Sequence, residues 1–134
     1  MGDLYRDYIL DHYRHLRNRG TLADPDVSYE EANSLCGDRI RLDLKLTEER
    51  VQDVRFSGHG CAISQASASL LTELIKGMSV SELERLGEED VFDALGIELS
   101  PTRQKCALLP LWVLKGGLHN RSVRSGAGKS DEGR

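Results

Sequence analysis

Aromatic side chains, proline and long apolar runs are all scarce in this sequence. Only 5% of its 134 residues are aromatic, and three are proline. The longest apolar stretch runs from Ala107 to Leu114, well short of the roughly 18 consecutive apolar residues that a membrane-spanning helix needs. A secretory signal needs an apolar core, and charged side chains interrupt the place where it would lie: Asp3, Arg6 and Asp7. The length fits one domain, and we expect a cytoplasmic protein with no membrane segment.

Basic side chains are outnumbered by acidic ones. The chain carries 18 Lys and Arg against 22 Asp and Glu, which gives a net charge of -4 at pH 7. Residues 119–134 hold four of the basic and two of the acidic groups, so the rest of the chain has a net charge of -6. A protein that binds nucleic acid by neutralising phosphates needs at least one basic face. We therefore expect no nucleic-acid partner.

Paired cysteine motifs are absent as well. The chain has three cysteines, Cys36, Cys61 and Cys106, and no two of them form a Cys-x-x-Cys pair. The odd count and the wide spacing argue against a disulfide framework, and the missing pairs argue against a local zinc finger. Two interpretations remain. In the first, the cysteines are unrelated thiols that pack as small hydrophobic side chains. In the second, the fold brings them together in one site.

Alternating side chains predict a sheet. Apolar residues alternate with polar ones from Ile40 to Leu46, and again around Val54 after a short turn. This pattern predicts an antiparallel hairpin with one buried face. We expect a third short strand over Cys61–Ile63, whereas residues 21–35 are predicted to form an extended loop.

Apolar residues at three- and four-residue spacing, with capping residues at their ends, predict the helices. Ser79 opens a capping-box pattern, Gly96 is placed to end a helix, and Ser100-Pro101 is placed to begin the last one. The predicted helices cover residues 4–16, 64–75, 80–86, 88–95 and 101–115. We assign residues 1–117 to one domain and expect residues 118–134 to form a disordered tail.

The surroundings of the cysteines favour a metal site. Cys61 precedes a predicted helix, and the N-terminus of a helix carries about half a positive charge, which favours a thiolate. Thiolates are the soft ligands that zinc and iron–sulfur clusters prefer. Three thiolates leave a four-coordinate metal one ligand short. Asp38 is the natural fourth ligand because residues two apart on a strand, here Cys36 and Asp38, share a face. Asp38 is equally consistent with a strand-entry residue that bonds only to backbone.

Several segments resemble one known family. They are Cys36–Ile40, Gly58–Ser69 and Lys105-Cys106, and the opening Tyr5–Gly20 is also similar. Together they resemble the signatures of the iron–sulfur cluster assembly scaffolds called IscU, SufU and NifU N-terminal domain, over roughly residues 4–117. The resemblance implies an α+β fold, with a small three-stranded antiparallel sheet, an N-terminal helix and a set of helices packed on the sheet.

The resemblance also implies a metal-binding site, the metal or cluster that it binds, and partner proteins. Zinc or a nascent [2Fe–2S] or [4Fe–4S] cluster would be held by four side chains: Cys36, Asp38, Cys61 and Cys106. A pyridoxal-phosphate-dependent cysteine desulfurase would deliver sulfur as a persulfide, with Cys36 as the first choice of acceptor and Cys106 as the second. Arg103 and Lys105 are expected to contact that partner. An iron donor and the apo-proteins that receive the cluster are the other expected partners.

Departures from the family pattern keep alternatives open. Lys105 stands where the scaffold branch has histidine, whereas the 45-residue interval between Cys61 and Cys106 is the compact length of that branch. The main alternative is a zinc-dependent sulfurtransferase partner that relays sulfur without building a cluster. A structural zinc module and a zinc hydrolase are weaker alternatives, since the zinc-deaminase motifs are missing. In the leading interpretation the protein is no enzyme, apart from sulfurtransferase activity with its desulfurase.

Overall fold

A computed structural model of the chain describes residues 11–12, 14–33, 37–96 and 98–127, with side chains up to residue 121. The helix predicted over residues 4–16 lies mostly outside these ranges, although residues 11, 12 and 14 are helical. Among the described residues, no helix is both long enough and apolar enough to cross a membrane.

The three described strands form one antiparallel sheet. They are β1 (Val27–Asn33), β2 (Asp38–Thr47) and β3 (Arg50–His59), arranged in the order β1-β2-β3. Apolar side chains from alternate positions of β2 and β3 are fully buried on one face of the sheet, where the helices pack. The predicted three-stranded antiparallel sheet and the α+β fold class are therefore confirmed.

The location of the third strand was predicted wrongly. It is β1, which lies within the segment expected to be a loop, while Cys61 precedes a helix that begins at Ala62. The strand escapes notice in the sequence because its second half is Glu30–Asn33, residues with little preference for strands. Pairing with β2 along its whole length stabilises it at the edge of the sheet.

In the described part of the chain, four helices follow the sheet. Their bounds are α1 (Ala62–Ile75), α2 (Val80–Arg85), α3 (Glu88–Leu95) and α4 (Pro101–Ala127). The predicted capping box at Ser79 is present, because its side chain accepts from the N–H of Glu82 and the Glu82 carboxylate accepts from the N–H of Ser79. Gly96 ends α3 in the left-handed conformation, with φ 70°, as its position predicted.

The last helix is much longer than predicted. We expected it to end near Lys115, but α4 continues through Pro110 and on to Ala127. The pair Gly116-Gly117 does not end the helix. A Cβ at Gly116 would overlap the ring of Tyr29, and a Cβ at Gly117 would lie 2.8 Å from Val27 Cγ1, so the absent side chains let α4 pack closely on β1.

The C-terminal segment is also more regular than predicted. Residues 118–127, which we expected to belong to a disordered tail, are helical, and Leu118 is buried in the core. The physical reason is that α4 continues to bury apolar surface beyond the glycine pair, at Leu118. Residues 128–134 lie outside the described part of the chain.

The segment before the sheet docks on α1. His12 is buried, and its Nδ1 lies 2.9 Å from Ser69 Oγ. Burial lowers the pKa of His12, and the positive charge of Arg17 lowers it further. The backbone N–H of Arg17 also donates to Ser69 Oγ, at 2.9 Å. The hydrogen bond to Ser69 in a buried position is consistent with a packing role for His12.

The segment then runs along β3. The N–H of Phe56 donates to Asn18 O at 2.9 Å, and the N–H of Gly20 donates to Phe56 O at 2.8 Å. These bonds form a parallel bridge that fixes the backbone of Arg19 beside β3. They place the Arg19 side chain at the end of the sheet where β2 begins and β3 ends.

Candidate metal centre

The β2–β3 register brings an acidic side chain next to a cysteine distant in sequence. Arg39 pairs with His59, so Asp38, the first residue of β2, lies beside Gly60, the first residue after β3. Cys61 follows and is the N-cap of α1, with an extended backbone conformation. The hairpin thereby carries Asp38 to the N-terminus of α1.

Hydrogen bonding fixes the carboxylate of Asp38. The backbone N–H of Cys61 donates to Asp38 Oδ1 at 2.9 Å, which satisfies one of the donors that the start of α1 leaves unpaired. Asp38 Oδ2 lies 3.8 Å from Cys61 Sγ. Asp38 is only 1% exposed, so one oxygen of a buried carboxylate is held by backbone while the other faces a thiol.

Gly60 is needed for this arrangement. A Cβ at Gly60 would overlap the carboxylate of Asp38 and would lie 2.5 Å from Ser64 Oγ. Ser64 is itself fixed, because it is fully buried and its hydroxyl donates to Cys61 O at 3.1 Å. Any other residue at position 60 would therefore push Asp38 away from Cys61.

Packing of α4 on α1 supplies the third side chain. Cys106 lies in the second turn of α4 and is 2% exposed. Next to it, the hydroxyl of Ser67 donates to Ala107 O at 2.6 Å, which ties the two helices together. The first turns of α1 are small, buried residues, among them Ala66, and they allow the backbone of α4 to approach.

One oxygen of Asp38 and the sulfur atoms of Cys61 and Cys106 lie within 4.8 Å of one another. In a tetrahedral zinc site, bonds of about 2.0–2.3 Å place ligand atoms roughly 3.3–3.8 Å apart. Only a small contraction would bring these three atoms around one ion, so the group could hold a metal. Cys36, the remaining predicted ligand, lies outside the described residues.

The predicted partner contacts lie on the surface beside this group. Arg103 and Lys105 are in the first two turns of α4, and both side chains are exposed. The N–H of Arg103 donates to Ser100 Oγ at 3.4 Å, which caps the start of the helix. Positive charge therefore lies on the solvent side of the turn that carries Cys106.

Sequence reasoning missed two residues near the site. The Arg19 Nη2 donates to Gly58 O at 3.1 Å, and its Nη1 donates to Gln65 Oε1 at 3.3 Å. Arg19 belongs to the opening segment that resembled the family, and Gln65 belongs to the motif that begins at Gly58. Those motifs were the only available signal, because no periodicity relates the two positions.

Comparisons with known proteins find relatives over most of this chain. The family model described as NifU-like N terminal domain matches residues 4–126. The zinc-dependent sulfurtransferase SufU of Bacillus subtilis strain 168 is 38% identical over 135 aligned positions, covering 88% of this chain and 91% of that protein. The iron-sulfur cluster assembly scaffold protein IscU of Thermotoga maritima is 37% identical over 131 positions, covering 86% and 92%.

A solved structure shares the fold. The iron–sulfur cluster assembly scaffold protein for the SUF system from Fervidobacterium islandicum AW-1 superposes with a TM-score of 0.74 at 28% sequence identity. The match covers 84% of this chain and 94% of that one. The predicted resemblance to this family is confirmed.

The Gly60→Ala substitution tests the geometry without any metal. The added methyl group should displace the Asp38 carboxylate, break its bond to the Cys61 N–H and lower the free energy of unfolding by about 1–3 kcal/mol. Amide hydrogen exchange should then accelerate at Cys61, and chemical denaturation should report the stability loss.

The Asp38→Ala background is the matched control. There the carboxylate is absent, so adding Gly60→Ala should lower stability by less than it does in the native background. A Gly60→Ala protein with native stability and native protection at Cys61 would contradict the arrangement.

Proposed function

Since the chain belongs to the NifU-like N-terminal domain family, we propose that it is an iron–sulfur cluster assembly scaffold that accepts sulfur from a cysteine desulfurase. One observation carries the proposal. An oxygen of Asp38 and the sulfurs of Cys61 and Cys106, which come from three separate elements, meet within 4.8 Å. The hydrogen bond from the Cys61 N–H accounts for one oxygen of this buried carboxylate and leaves the other facing the Cys61 thiol.

The names of the relatives support the choice of cargo. One is called a zinc-dependent sulfurtransferase and others are called iron–sulfur cluster assembly scaffolds. In this chain, zinc or a [2Fe–2S] or [4Fe–4S] cluster would be bound by the same side chains: Cys36, Asp38, Cys61 and Cys106. Three thiolates match the preference of both zinc and iron–sulfur clusters for soft ligands.

Asp38 gives the site its proposed lability. Its Oδ1 already accepts a hydrogen bond from the Cys61 N–H, which leaves Oδ2 as the freer oxygen for a metal. A carboxylate oxygen is a harder ligand than a thiolate, and a single oxygen binds less tightly than a fourth sulfur would. A site that must release what it assembles benefits from one weaker ligand.

Sulfur transfer requires an accessible thiolate. The acceptor thiolate attacks the outer sulfur of the desulfurase persulfide, the S–S bond of the donor breaks, and the donor cysteine leaves as a thiolate. The product is a persulfide on this chain, with no net oxidation. Cys36 is our first choice of acceptor. Exposure favours Cys61 over Cys106, the second choice that the sequence suggested, because Cys106 is only 2% exposed.

The proposed partners follow from this chemistry. The desulfurase would use pyridoxal phosphate to release sulfur from free cysteine, and Arg103 and Lys105 would contact it because they are exposed beside Cys106. An iron donor and the apo-proteins that receive clusters complete the set. We place the reaction in the cytoplasm, where thiols stay reduced.

A second candidate function is sulfur relay through zinc, without cluster building. The zinc-dependent sulfurtransferase of Bacillus subtilis is 38% identical to this chain and matches it over 88% of its length. In addition, Lys105 precedes the third cysteine, a feature that resembles the SufU branch. Both functions use the same ligands and the same desulfurase, so they differ only in what happens after sulfur arrives.

Metal content tests the ligand set. The variants Cys36→Ala, Asp38→Ala, Cys61→Ala and Cys106→Ala should each lose tightly bound zinc or iron, because removing one ligand breaks a four-coordinate site. Atomic emission after exhaustive dialysis measures the metal. Asp24→Ala, an exposed carboxylate elsewhere, should retain the wild-type content. Full metal in all four ligand variants would refute the assignment.

Sulfur acceptance is tested with a cysteine desulfurase, free cysteine and iron under anaerobic conditions. Mass spectrometry of the intact chain should show the addition of one sulfur atom, and the Cys36→Ala variant should show the largest decrease. Visible absorption then separates the two functions, since stable colour indicates cluster building and a colourless zinc protein that accelerates its desulfurase indicates relay. The absence of persulfide on every cysteine would contradict both.

A further inference from the structure

A depression in the surface lies immediately beside the candidate metal centre. It is open to solvent, it adjoins the N-terminus of α1, and it includes the residue just before Cys61. Its lining residues are Leu16, Arg19, Gly58, His59, Gly60 and Gln65. No acidic residue is among these lining residues, whereas Arg19 contributes a positive charge.

Arg19 is held at the depression with hydrogen-bonding capacity to spare. A guanidinium has five N–H donors, and Arg19 uses two, one to Gly58 O and one to Gln65 Oε1. Both acceptors are neutral. No carboxylate in the described part of the chain forms an ion pair with Arg19, although its side chain is exposed. Its charge is therefore not compensated locally.

Gln65 adds a buried donor. The residue is only 4% exposed, and its Oε1 accepts from Arg19. Its Nε2 is buried and has no hydrogen-bond partner among the described residues. A buried polar group without a partner is rare in native proteins and indicates a missing acceptor. Because Gln65 lines the depression, that acceptor would come from a molecule bound there.

From these contacts we infer that the depression binds a carboxylate. The planar guanidinium of Arg19 offers the paired donors that carboxylates accept, and the Gln65 amide offers a further N–H at the same place. This inference does not rest on sulfur transfer or on metal binding. If the proposed function also holds, the bound carboxylate lies beside Gly60, the residue before Cys61. It would then position the molecule to which it belongs next to the metal centre.

The probe is sodium acetate, titrated into the isotopically labelled full chain with sodium chloride making up constant ionic strength. The side-chain amide signals of Gln65 and the backbone amides of Gly58 and Gly60 should shift and saturate with acetate. In Arg19→Gln the affinity should fall about tenfold or more, since a charge-assisted hydrogen bond is lost. Arg19→Lys keeps the positive charge but loses the paired, planar N–H donors of the guanidinium. Its affinity for acetate should therefore lie between those of the wild type and Arg19→Gln.

Arg85→Gln is the matched control. Arg85 is exposed on α2, and α2 begins at the β2–β3 turn, at the opposite end of the sheet from Gly60. This variant should bind acetate as the wild type does. Acetate shifts that do not saturate, or that persist unchanged in a folded Arg19→Gln protein, would overturn the inference.

A second arm identifies where the carboxylate comes from. If it belongs to an acidic side chain of the docked desulfurase, Arg19→Gln and added acetate should both weaken desulfurase binding, whereas Arg85→Gln should not. If it belongs to a free small molecule, acetate should still bind through Arg19 while desulfurase affinity stays unchanged. The zinc content of Arg19→Gln should equal that of the wild type in either case, which separates this result from a failure of the metal site.

Discussion

The backbone N–H of Cys61 donates to the Oδ1 of Asp38, and the rest of the site depends on this hydrogen bond. It joins the first residue of β2 to the first turn of α1, which lie 23 positions apart. It also occupies one lone pair of Oδ1 and leaves Oδ2 facing the Cys61 thiol. Because Asp38 is buried, losing the bond would leave a carboxylate without compensation in the protein interior, which is strongly unfavourable.

Packing constraints build the rest of the site around that bond. Gly60 leaves room for the carboxylate, and the β2–β3 register sets Asp38 beside it. The small residues at the start of α1 allow α4 to pack closely against it. The hydrogen bond from Ser67 to Ala107 O then fixes the position of Cys106 relative to α1. The two described thiols are thus carried by the N-terminus of α1 and by α4, while Arg19 and its neighbours form the solvent-facing side. This division suits a site that holds cargo on one side and meets partners on the other.

Local patterns in the sequence predicted most of the described elements, together with several of the helix ends. The β2–β3 hairpin and the Ser79 cap follow from alternation and capping chemistry. The strand β1 does not, because pairing with β2 overrides the weak preference of Glu30–Asn33 for strands. The glycine pair 116–117 was misread because its cause is contact with β1, which no local pattern reveals. The contact between Arg19 and Gln65 was likewise out of reach, since it depends on two tertiary placements.

The central claim is that distant thiols and one carboxylate oxygen share a single metal ion. X-ray absorption at the zinc edge of the zinc-loaded chain tests it most directly. We predict a first shell dominated by sulfur at about 2.3 Å with one oxygen at about 2.0 Å. A first shell made only of oxygen and nitrogen would contradict the account, because zinc would then be bound elsewhere on the surface.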